Sequence, residues 1–291
     1  MIINYENNNT ILSELESFAL IDIFDCGQCF RWNRQEDGSY IGIAKNRVLK
    51  ISEFENSFIL HDTSREDFEN IWYDYFDLNR NYTNIRTLLS EDANLTDAFH
   101  FGSGVRILRQ SLWECVVSFI ISASNNIPRI KKIVELLCEN FGDEIEYMGR
   151  IYYTFPSPER ISALSLDELQ VIRSGFRDKY ILDAANKFIS DSRFSEEYLK
   201  NIPTKDAKDV LMSIKGVGSK VADCVLLFGL GKYDSFPVDV WMKRIMEYLY
   251  FNQTEQSIKV ISEFAQAHFG ELGGFAQQYL FFYARENKIG L

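Results

Sequence analysis

The sequence is poor in histidine, which argues against a zinc site, and it has no long apolar run, which argues against a membrane-spanning helix. Among its 291 residues there are only 3 histidines, scattered at positions 61, 100 and 268. No apolar run approaches the roughly 20 residues that a membrane-spanning helix needs. The first ten residues have neither the basic stretch nor the apolar stretch of a secretory signal. We therefore expect a cytoplasmic protein.

Cysteine is also scarce, and its pattern does not support a metal centre. The five cysteines are an odd number, which suits a reducing compartment. Cys26 and Cys29 have the C-x-x-C spacing of redox and zinc sites, but no second pair follows to complete a tetrahedral set. A cysteine cluster of the iron–sulfur type is missing as well. We predict no metal site and find no sign of a required cofactor.

The charge is strongly acidic but uneven. The formal net charge is −11, with 8 basic and 18 acidic residues in positions 1–100 and 23 basic and 24 acidic residues in positions 101–291. The overall sign argues against a nucleic-acid partner, because phosphates dominate the affinity for such partners. Within positions 101–134 there is one acid, Glu114, among five basic residues: Arg106, Arg109, Arg129, Lys131 and Lys132. The second part of the chain therefore leaves room for a DNA-binding face.

Hydrophobic periodicity divides the chain into two regions. Brief β-rich runs at 40–44, 48–51 and 57–60 are separated by turn residues, which is typical of an antiparallel sheet. From about residue 80 the period is helical. Six helices are predicted, over 107–121, 130–141, 165–174, 179–190, 204–214 and 254–268. We predict an α+β fold, with an antiparallel β-sheet domain over 1–100 and an all-helical body over 101–291.

One stretch, residues 210–247, has the most specific pattern. It predicts a helix, a tight Gly-Val-Gly turn, a helix, a loop and a third helix. Gly216 and Gly218 let the backbone of the turn approach a ligand without a Cβ in the way. The free N–H groups at the start of the following helix suit an anion such as a phosphate. Lys220 and Cys224 are four residues apart in that helix and share a face.

A short Pro-Val-Asp sequence follows and ends at Asp239, which is placed to cap the third helix. Each of these pieces has an ordinary structural explanation as a turn, a solvated lysine or a helix cap. Together, in this order and spacing, they resemble the helix-hairpin-helix DNA glycosylase superfamily. The resemblance places the helix-hairpin-helix at about 208–230 and the Gly/Pro-Asp loop at 231–240.

Within that superfamily, the chain resembles most the 8-oxoguanine DNA glycosylase/AP lyases that have an N-terminal β domain. The resemblance is carried by CGQCFRW at 26–32, SFIISASNNIPRI at 118–130, the hairpin stretch, and GFAQQYLFFYAR at 274–285. It implies a TBP-like N-terminal sheet and a monomeric enzyme acting on double-stranded DNA that contains an oxidised purine. Such an enzyme flips out and excises 8-oxoguanine and then cleaves the strand. It would be associated with the nucleoid in a bacterium or lie in the nucleus of a eukaryote.

The resemblance assigns the chemistry to two residues. Lysine can act as a nucleophile because a desolvated amine becomes neutral and forms a Schiff base with carbon. Lys220 corresponds to the catalytic lysine of the family, which attacks C1′ of the flipped nucleotide. Asp239 corresponds to the aspartate that places negative charge near the oxocarbenium-like sugar.

Recognition of the oxidised base is assigned to five positions. 8-Oxoguanine carries an N–H at position 7 where guanine has a lone pair, so one acceptor aimed there separates the two bases. By resemblance the acceptor is the backbone carbonyl of Gly27. Gln277 reads the Watson–Crick edge, Phe281 and Cys224 cover the two faces of the ring, and Pro237 belongs to the same pocket.

Contacts with the rest of the duplex follow from the same resemblance. The hairpin backbone at Gly216 and Gly218 binds phosphate. The strand opposite the lesion is addressed by polar side chains and an aromatic wedge at Asn125, Arg129, Phe176 and Arg177. Two DNA-binding positions depart from the family pattern: Ser124 stands where some relatives show asparagine, and Trp241 where the family motif often has histidine.

Other functions remain open on the sequence alone. Alkylated-purine glycosylases also combine a β domain with the helical body, but they lack the lysine and use the aspartate with water. Endonuclease III-like and adenine-specific relatives are disfavoured because the chain has no iron–sulfur cysteines. A non-catalytic helix-hairpin-helix module would bind DNA, but it would have little need for Lys220, Asp239 and Gln277 together.

Overall fold

A six-stranded antiparallel sheet precedes a helical body in the computed structural model, which describes residues 1–289. The strands lie in the order β1-β2-β6-β5-β4-β3. Their bounds are β1 (Ile2–Glu6), β2 (Asn9–Ser13), β3 (Trp32–Arg34), β4 (Tyr40–Ala44), β5 (Arg47–Phe54) and β6 (Ser57–His61). The three predicted strands are confirmed as β4, β5 and β6. The other three are too short or too polar for the alternating pattern to reveal them.

The sheet buries one face against a short helix and several aromatic rings. In β4, Tyr40 is buried and pairs in register with Ile51 of β5. Helix α1 (Leu20–Phe24) covers this face, and the ring of Phe24 stacks on Trp32 with centroids 4.0 Å apart. Residues 25–31 join α1 to β3 and are called the α1–β3 connection. This connection contains Gly27.

The helical body contains most of the remaining chain. Two short helices, α2 (Arg65–Asp67) and α3 (Tyr73–Tyr75), come first and lie on either side of a π-turn. The helices that follow are α4 (Tyr82–Leu89), α5 (Thr96–Phe101), α6 (Leu112–Ser122), α7 (Ile127–Phe141), α8 (Pro158–Ser162), α9 (Leu166–Leu169), α10 (Asp178–Ser190), α11 (Glu196–Asn201), α12 (Thr204–Met212), α13 (Ser219–Leu230), α14 (Val240–Tyr250), α15 (Ile258–Phe269) and α16 (Gly273–Asn287). The all-helical prediction is wrong in one detail, since a hairpin of β7 (Glu144–Tyr147) and β8 (Arg150–Tyr153) interrupts the body.

The predicted helix over 107–121 is wrong for its first residues. The backbone N–H of Ile107 donates to the Tyr82 hydroxyl, and that of Leu108 donates to the Gln28 side chain, both at 2.9 Å. These bonds hold the segment as an irregular connection, so α6 begins only at Leu112. The apolar residues at 107 and 108 are buried without being helical.

Two other predicted helices are shorter than expected. The helix predicted over 165–174 ends at Leu169, and Arg173 then adopts a left-handed backbone conformation with φ +57° that an α-helix cannot contain. The helix predicted from 254 begins at Ile258, because the Ser257 hydroxyl accepts from the Val260 N–H and caps it.

Two hydrophobic cores interlock at the junction of the sheet and the body. Cys26 and Phe30 belong to the core of the helical body, whereas Leu108 belongs to the core beneath the sheet. The predicted boundary between the two domains at residue 100 stays a prediction.

None of the helices within residues 1–289 combines the length and the apolar character needed to cross a membrane.

Candidate functional site

A cavity of about 40 Å³ lies where α13, α16 and the α1–β3 connection meet. Its lining consists of Gly27, Phe119, Lys220, Cys224, Phe228, Pro237, Asp239, Gln277, Gln278 and Phe281. All seven residues predicted for catalysis and base recognition are in this set. The structure therefore brings them together although they come from distant parts of the chain.

A larger groove lies elsewhere, between β4 and α7. Its volume is about 350 Å³, and it is lined by residues such as Asn33, Lys131 and Arg150. None of the predicted site residues lines it. Size alone would not have selected the smaller cavity, which is distinguished by the convergence of an amine, a carboxylate and an amide.

Lys220 projects from the first turn of α13 and its side chain is partly buried. Its Nζ lies 3.4 Å from the Ser122 hydroxyl and 5.2 Å from the ring centroid of Phe119. The lysine side chain can donate up to three hydrogen bonds, and within residues 1–289 its partners are the Ser122 hydroxyl, at this long distance, and the neighbouring Cys224 thiol. The amine is therefore available to a molecule in the cavity.

Asp239 caps α14, as the sequence predicts. Its Oδ1 accepts from the N–H of Met242 at 2.8 Å. Within the described part of the chain the Oδ2 atom has no hydrogen-bond partner. One carboxylate oxygen is thus fixed by the helix terminus, and the other is free to act in the cavity.

Cys224 lies one turn after Lys220 and is 3% exposed. Burial raises the pKa of its thiol to about 11, and the neighbouring Lys220 lowers it by a smaller amount. The thiol is therefore protonated at neutral pH, which makes it a packing surface rather than a nucleophile.

Gly27 occupies a position that strongly favours glycine. Its φ is +85°, and a Cβ there would lie 2.8 Å from Arg285 Nη1 and 2.9 Å from Phe281 Cε1. The backbone at this position is therefore in direct contact with the aromatic ring that lines the cavity.

Gln277 supplies an unsatisfied polar atom. The residue is 4% exposed, and its Oε1 is buried without a hydrogen-bond partner. A buried acceptor left unpaired is costly, so it indicates a ligand with a donor. Since Phe281 lies one turn further along α16, the amide and the ring present a polar edge and a flat face to one occupant.

Three lining residues were not predicted. The rings of Phe119 and Phe228 stack with centroids 5.5 Å apart and planes 16° apart. Gln278 is 1% exposed and donates to the Cys26 carbonyl at 3.0 Å. Both phenylalanines fit the apolar period of a core helix, and no sequence signal separates them from core residues.

The hairpin turn before α13 is shaped for a close approach. Gly216 has φ +81°, and a Cβ there would lie 2.3 Å from the ring of Tyr180. A Cβ at Gly218 would meet nothing within 4 Å, so the space beside it is open. The first N–H groups of α13 have no partner inside the helix. The turn can therefore receive an anion.

Two arginines predicted to address DNA lie in different environments. Arg177 is 5% exposed, and it donates to the backbone carbonyls of Ser174 at 3.1 Å, Ser124 at 3.3 Å and Ala123. Arg129 is exposed, and it has no side-chain partner within residues 1–289. As placed here, Arg177 organises the loop at 123–124, and Arg129 is free for a partner.

The remaining predicted DNA contacts lie around that loop, with one exception. Ser124 is exposed with φ +51°, and Phe176 is 56% exposed beside Arg177. The amide of Asn125 is occupied, since it donates to the Ile121 carbonyl at 3.1 Å and accepts from the next backbone N–H. Trp241 lies apart on α14, with the Arg244 guanidinium 5.6 Å from its ring.

The basic segment at 101–134 does not form the surface that its charge suggests. Arg106 is 3% exposed and binds three backbone carbonyls. Arg109 forms ion pairs with Asp74 and Asp77. Lys131 donates to the Trp32 carbonyl at 2.6 Å. Residue type alone could not distinguish these internal roles from exposed ones.

Comparison with known families gives two matches that together span most of the chain. Residues 10–116 match the family described as 8-oxoguanine DNA glycosylase, N-terminal domain. Residues 117–268 match the HhH-GPD superfamily base excision DNA repair protein family.

Individual proteins are similar over most of their length. A probable N-glycosylase/DNA lyase of Methanothermobacter thermautotrophicus is 32% identical over 83% of this chain and 81% of its own. The structure of a Clostridium acetobutylicum 8-oxoguanine glycosylase/lyase, in complex with double-stranded DNA containing cytosine opposite 8-oxoguanine, is 42% identical with a TM-score of 0.95 and covers 99% of each chain. That of MBOgg1 in complex with a low affinity DNA ligand is 47% identical with a TM-score of 0.95 and covers 99% of each chain.

Proposed function

The chain belongs to the HhH-GPD superfamily of base excision DNA repair proteins, and we propose that it excises 8-oxoguanine from duplex DNA and then cleaves the strand. The observation that carries this proposal is the cavity in which the Lys220 amine, the Asp239 carboxylate and the unpaired Gln277 amide oxygen meet. The amine and the carboxylate suit attack on a sugar carbon. The amide, with the Phe281 ring, suits a flat polar base.

Excision proceeds through a covalent intermediate on Lys220. The neutral amine forms a bond to C1′ as the bond from C1′ to the base breaks, and the departing base takes up the proton that the amine loses. Opening of the sugar ring gives an imine. The Asp239 carboxylate stabilises the positive charge that develops on the sugar. The free Oδ2 atom is the part of Asp239 that can do so without loss of the helix cap.

Strand cleavage follows from the same intermediate. Loss of a proton from C2′ of the imine expels the 3′ phosphate by β-elimination. Water then hydrolyses the imine and returns the free lysine. The sequence of steps needs no reactant besides DNA and water, and the protein contributes the nucleophile.

Base selection rests on the opposite wall of the cavity. The Gly27 carbonyl accepts the N7 hydrogen that 8-oxoguanine has and guanine lacks. Gln277 pairs with the Watson–Crick edge, and the Phe281 ring and the Cys224 thiol cover the two faces. Burial of each polar contact strengthens the discrimination, because the wrong base leaves an acceptor unpaired.

DNA is held by the hairpin backbone and by the exposed rim. The N–H groups after Gly216 bind a phosphate, Phe176 enters the space that the flipped base vacates, and Arg129 contacts the opposite strand. We further propose that the protein acts as a monomer in the cytoplasm, in contact with the nucleoid if the source is a bacterium, or in the nucleus if it is a eukaryote.

A panel of lesions tests the proposal. Duplexes carrying 8-oxoguanine, its ring-opened form or a methylated purine, each opposite all four bases, are incubated with the protein with and without borohydride. Release of 8-oxoguanine with a trapped covalent adduct is expected. Release of methylated purines without an adduct would instead indicate an alkylated-purine glycosylase, and binding without release would indicate a DNA-binding module.

A further inference from the structure

Two side chains of α16 hold the connection that precedes Gly27. Gln278 donates to the Cys26 carbonyl at 3.0 Å, and Arg285 donates from Nη2 to the Asp25 carbonyl. Gln278 is 1% exposed, and the Arg285 side chain is 15% exposed, so both bonds are shielded from water. The two donors are seven positions apart, which places them on one face of the helix. Helix α16 therefore binds two successive backbone carbonyls of the α1–β3 connection, those of Asp25 and Cys26.

The backbone carbonyl of Gly27 has no hydrogen-bond donor among the described residues, although the carbonyls of Cys26 and Gln28 on either side of it are occupied. Gln110, from the segment before α6, donates to the Gln28 carbonyl at 2.8 Å. Within residues 1–289 no donor reaches the Gly27 carbonyl. Backbone carbonyls in folded proteins are almost always paired with protein or water. Since Gly27 lines the cavity and the neighbouring carbonyls are occupied, its carbonyl can accept a hydrogen bond from a ligand.

Arg285 also contacts the two residues predicted to meet the base. Its Nη1 atom is the nearest neighbour of a Cβ built at Gly27, and its guanidinium carbon lies 5.4 Å from the ring centroid of Phe281. Nη1 is buried without a hydrogen-bond partner. The guanidinium thus packs between the connection and the ring, and it restricts both.

External bonds are needed here because of the glycine itself. A glycine has no Cβ, so its backbone reaches many conformations and cannot by itself fix the direction of its carbonyl. Bonds to the carbonyls on either side remove that freedom. A carbonyl used for recognition has to be held in place before the base arrives, because its loss of freedom would otherwise weaken binding.

We propose that Gln278 and Arg285 are positioning residues that hold the Gly27 carbonyl ready for the N7 hydrogen of 8-oxoguanine. This inference rests on the proposed function of the cavity. Both side chains act through the connection and not on the reacting atoms. Their contribution is therefore specific to the step in which a base occupies the cavity.

The test separates base release from strand cleavage. Gln278→Met keeps the length of the side chain and removes its donor, and Arg285→Met keeps an unbranched apolar stem and removes the guanidinium. Single-turnover rates are measured on a duplex containing 8-oxoguanine and on one containing a preformed abasic site, which has no base to recognise. Base release should slow by about tenfold or more in each variant, because a single misplaced polar contact to the reacting group has effects of this order. Cleavage at the abasic site should stay within about twofold.

Two further variants make the result decisive. Arg285→Lys keeps a donor that can reach the Asp25 carbonyl, and it should restore part of the base-release rate. Lys232→Met is the matched control, since Lys232 bonds the backbone carbonyl of Ile202 at 2.7 Å outside the cavity. It should leave the ratio of the two rates unchanged.

Equal loss of both activities in the two methionine variants would overturn the proposal, as would unchanged base release in both. If Arg285→Met does not fold, Gln278→Met alone decides. A wild-type protein that cleaves abasic sites but releases no 8-oxoguanine would refute the proposed function, and the inference with it. A wild type that releases the base at the same rate as both variants would refute only the inference.

Discussion

The two ends of the cavity are built in different ways. At one end, Lys220 lies on α13, and Asp239 caps the helix that follows. At the other end, Gly27 and Phe281 come from opposite ends of the chain. Helix geometry fixes the first group. Long-range contacts from α16 fix the second group.

This difference separates chemistry from recognition. The amine and the carboxylate are needed whether or not a base is present, so damage at that end should affect base release and abasic-site cleavage alike. The recognition end matters only while a base is in the cavity. Substitutions there should slow base release and leave abasic-site cleavage nearly intact.

The largest effect is expected at Asp239. Asparagine caps helices about as well as aspartate does, so Asp239→Asn should keep the melting temperature close to that of the wild type. Without the negative charge, both base release and abasic-site cleavage should fall by roughly 10²- to 10³-fold, as is typical for a lost electrostatic contact to the transition state. The control is Asp191→Asn, since Asp191 caps a helical turn away from the cavity. A loss of only a fewfold in the first variant would show that Asp239 is merely a cap.

A smaller and more selective effect is expected at Gly27. In Gly27→Ala the new Cβ meets Arg285 and Phe281, and the backbone conformation costs about 1 kcal/mol of unfolding free energy. Base release should slow by at least tenfold, whereas abasic-site cleavage should change little. Gly38→Ala is the matched control, because Gly38 has φ +81° and no atom within 4 Å of its Cβ position. Equal activity of the two variants would contradict the account.

The two rim arginines should respond in opposite ways. Arg177→Ala removes a buried guanidinium from several carbonyls and should lower the free energy of unfolding in urea by about 1–3 kcal/mol. Arg129→Ala should leave stability unchanged and reduce the slope of log affinity for DNA against log salt by about 1. A stability loss at Arg129 with none at Arg177 would reverse the assignment.

The smallest effect concerns two buried thiols, Cys224 in the lining of the cavity and Cys26 next to Gly27. Burial raises the pKa of Cys224 to about 11 and that of Cys26 to about 12. The native state therefore favours the protonated thiols. The contribution of the two buried thiols to the free energy of unfolding is intact below the ordinary thiol pKa near 9. It is lost as the pH rises through the raised pKa values of Cys224 and Cys26.

Alkylation provides the measurement for the thiols. At pH 8, iodoacetamide should modify neither cysteine in the native protein and both in the urea-unfolded protein, as followed by mass spectrometry. Rapid modification of native Cys224 would show that the cavity is more open or more polar than the structure indicates.

The sequence was most informative where function depends on local geometry. The spacing of Lys220 and Cys224 and the cap at Asp239 follow from helix periodicity and capping, which need no knowledge of the rest of the fold. The three central strands were visible for the same reason, because their residues alternate. The family resemblance then supplied Gly27, Gln277 and Phe281.

What the sequence could not show is which polar groups face each other across the fold. Arg177 has the composition of a DNA contact, but its donors are occupied by carbonyls of the loop at 123–124. Arg106 was counted toward a basic face and is buried. Gln278 and Arg285 lie in a stretch that carries the resemblance, yet their bonds to residues 25 and 26 depend on tertiary packing.

The central claim is that the Lys220 amine is the nucleophile, and covalent trapping tests it directly. The protein is incubated with an 8-oxoguanine duplex and borohydride, and the adduct is digested and mapped by mass spectrometry. The DNA remnant should be found on Lys220, it should be absent from Lys220→Gln, and it should persist in Lys215→Gln, which changes an exposed lysine of the same hairpin. An adduct on another residue, or undiminished trapping in Lys220→Gln, would contradict the account.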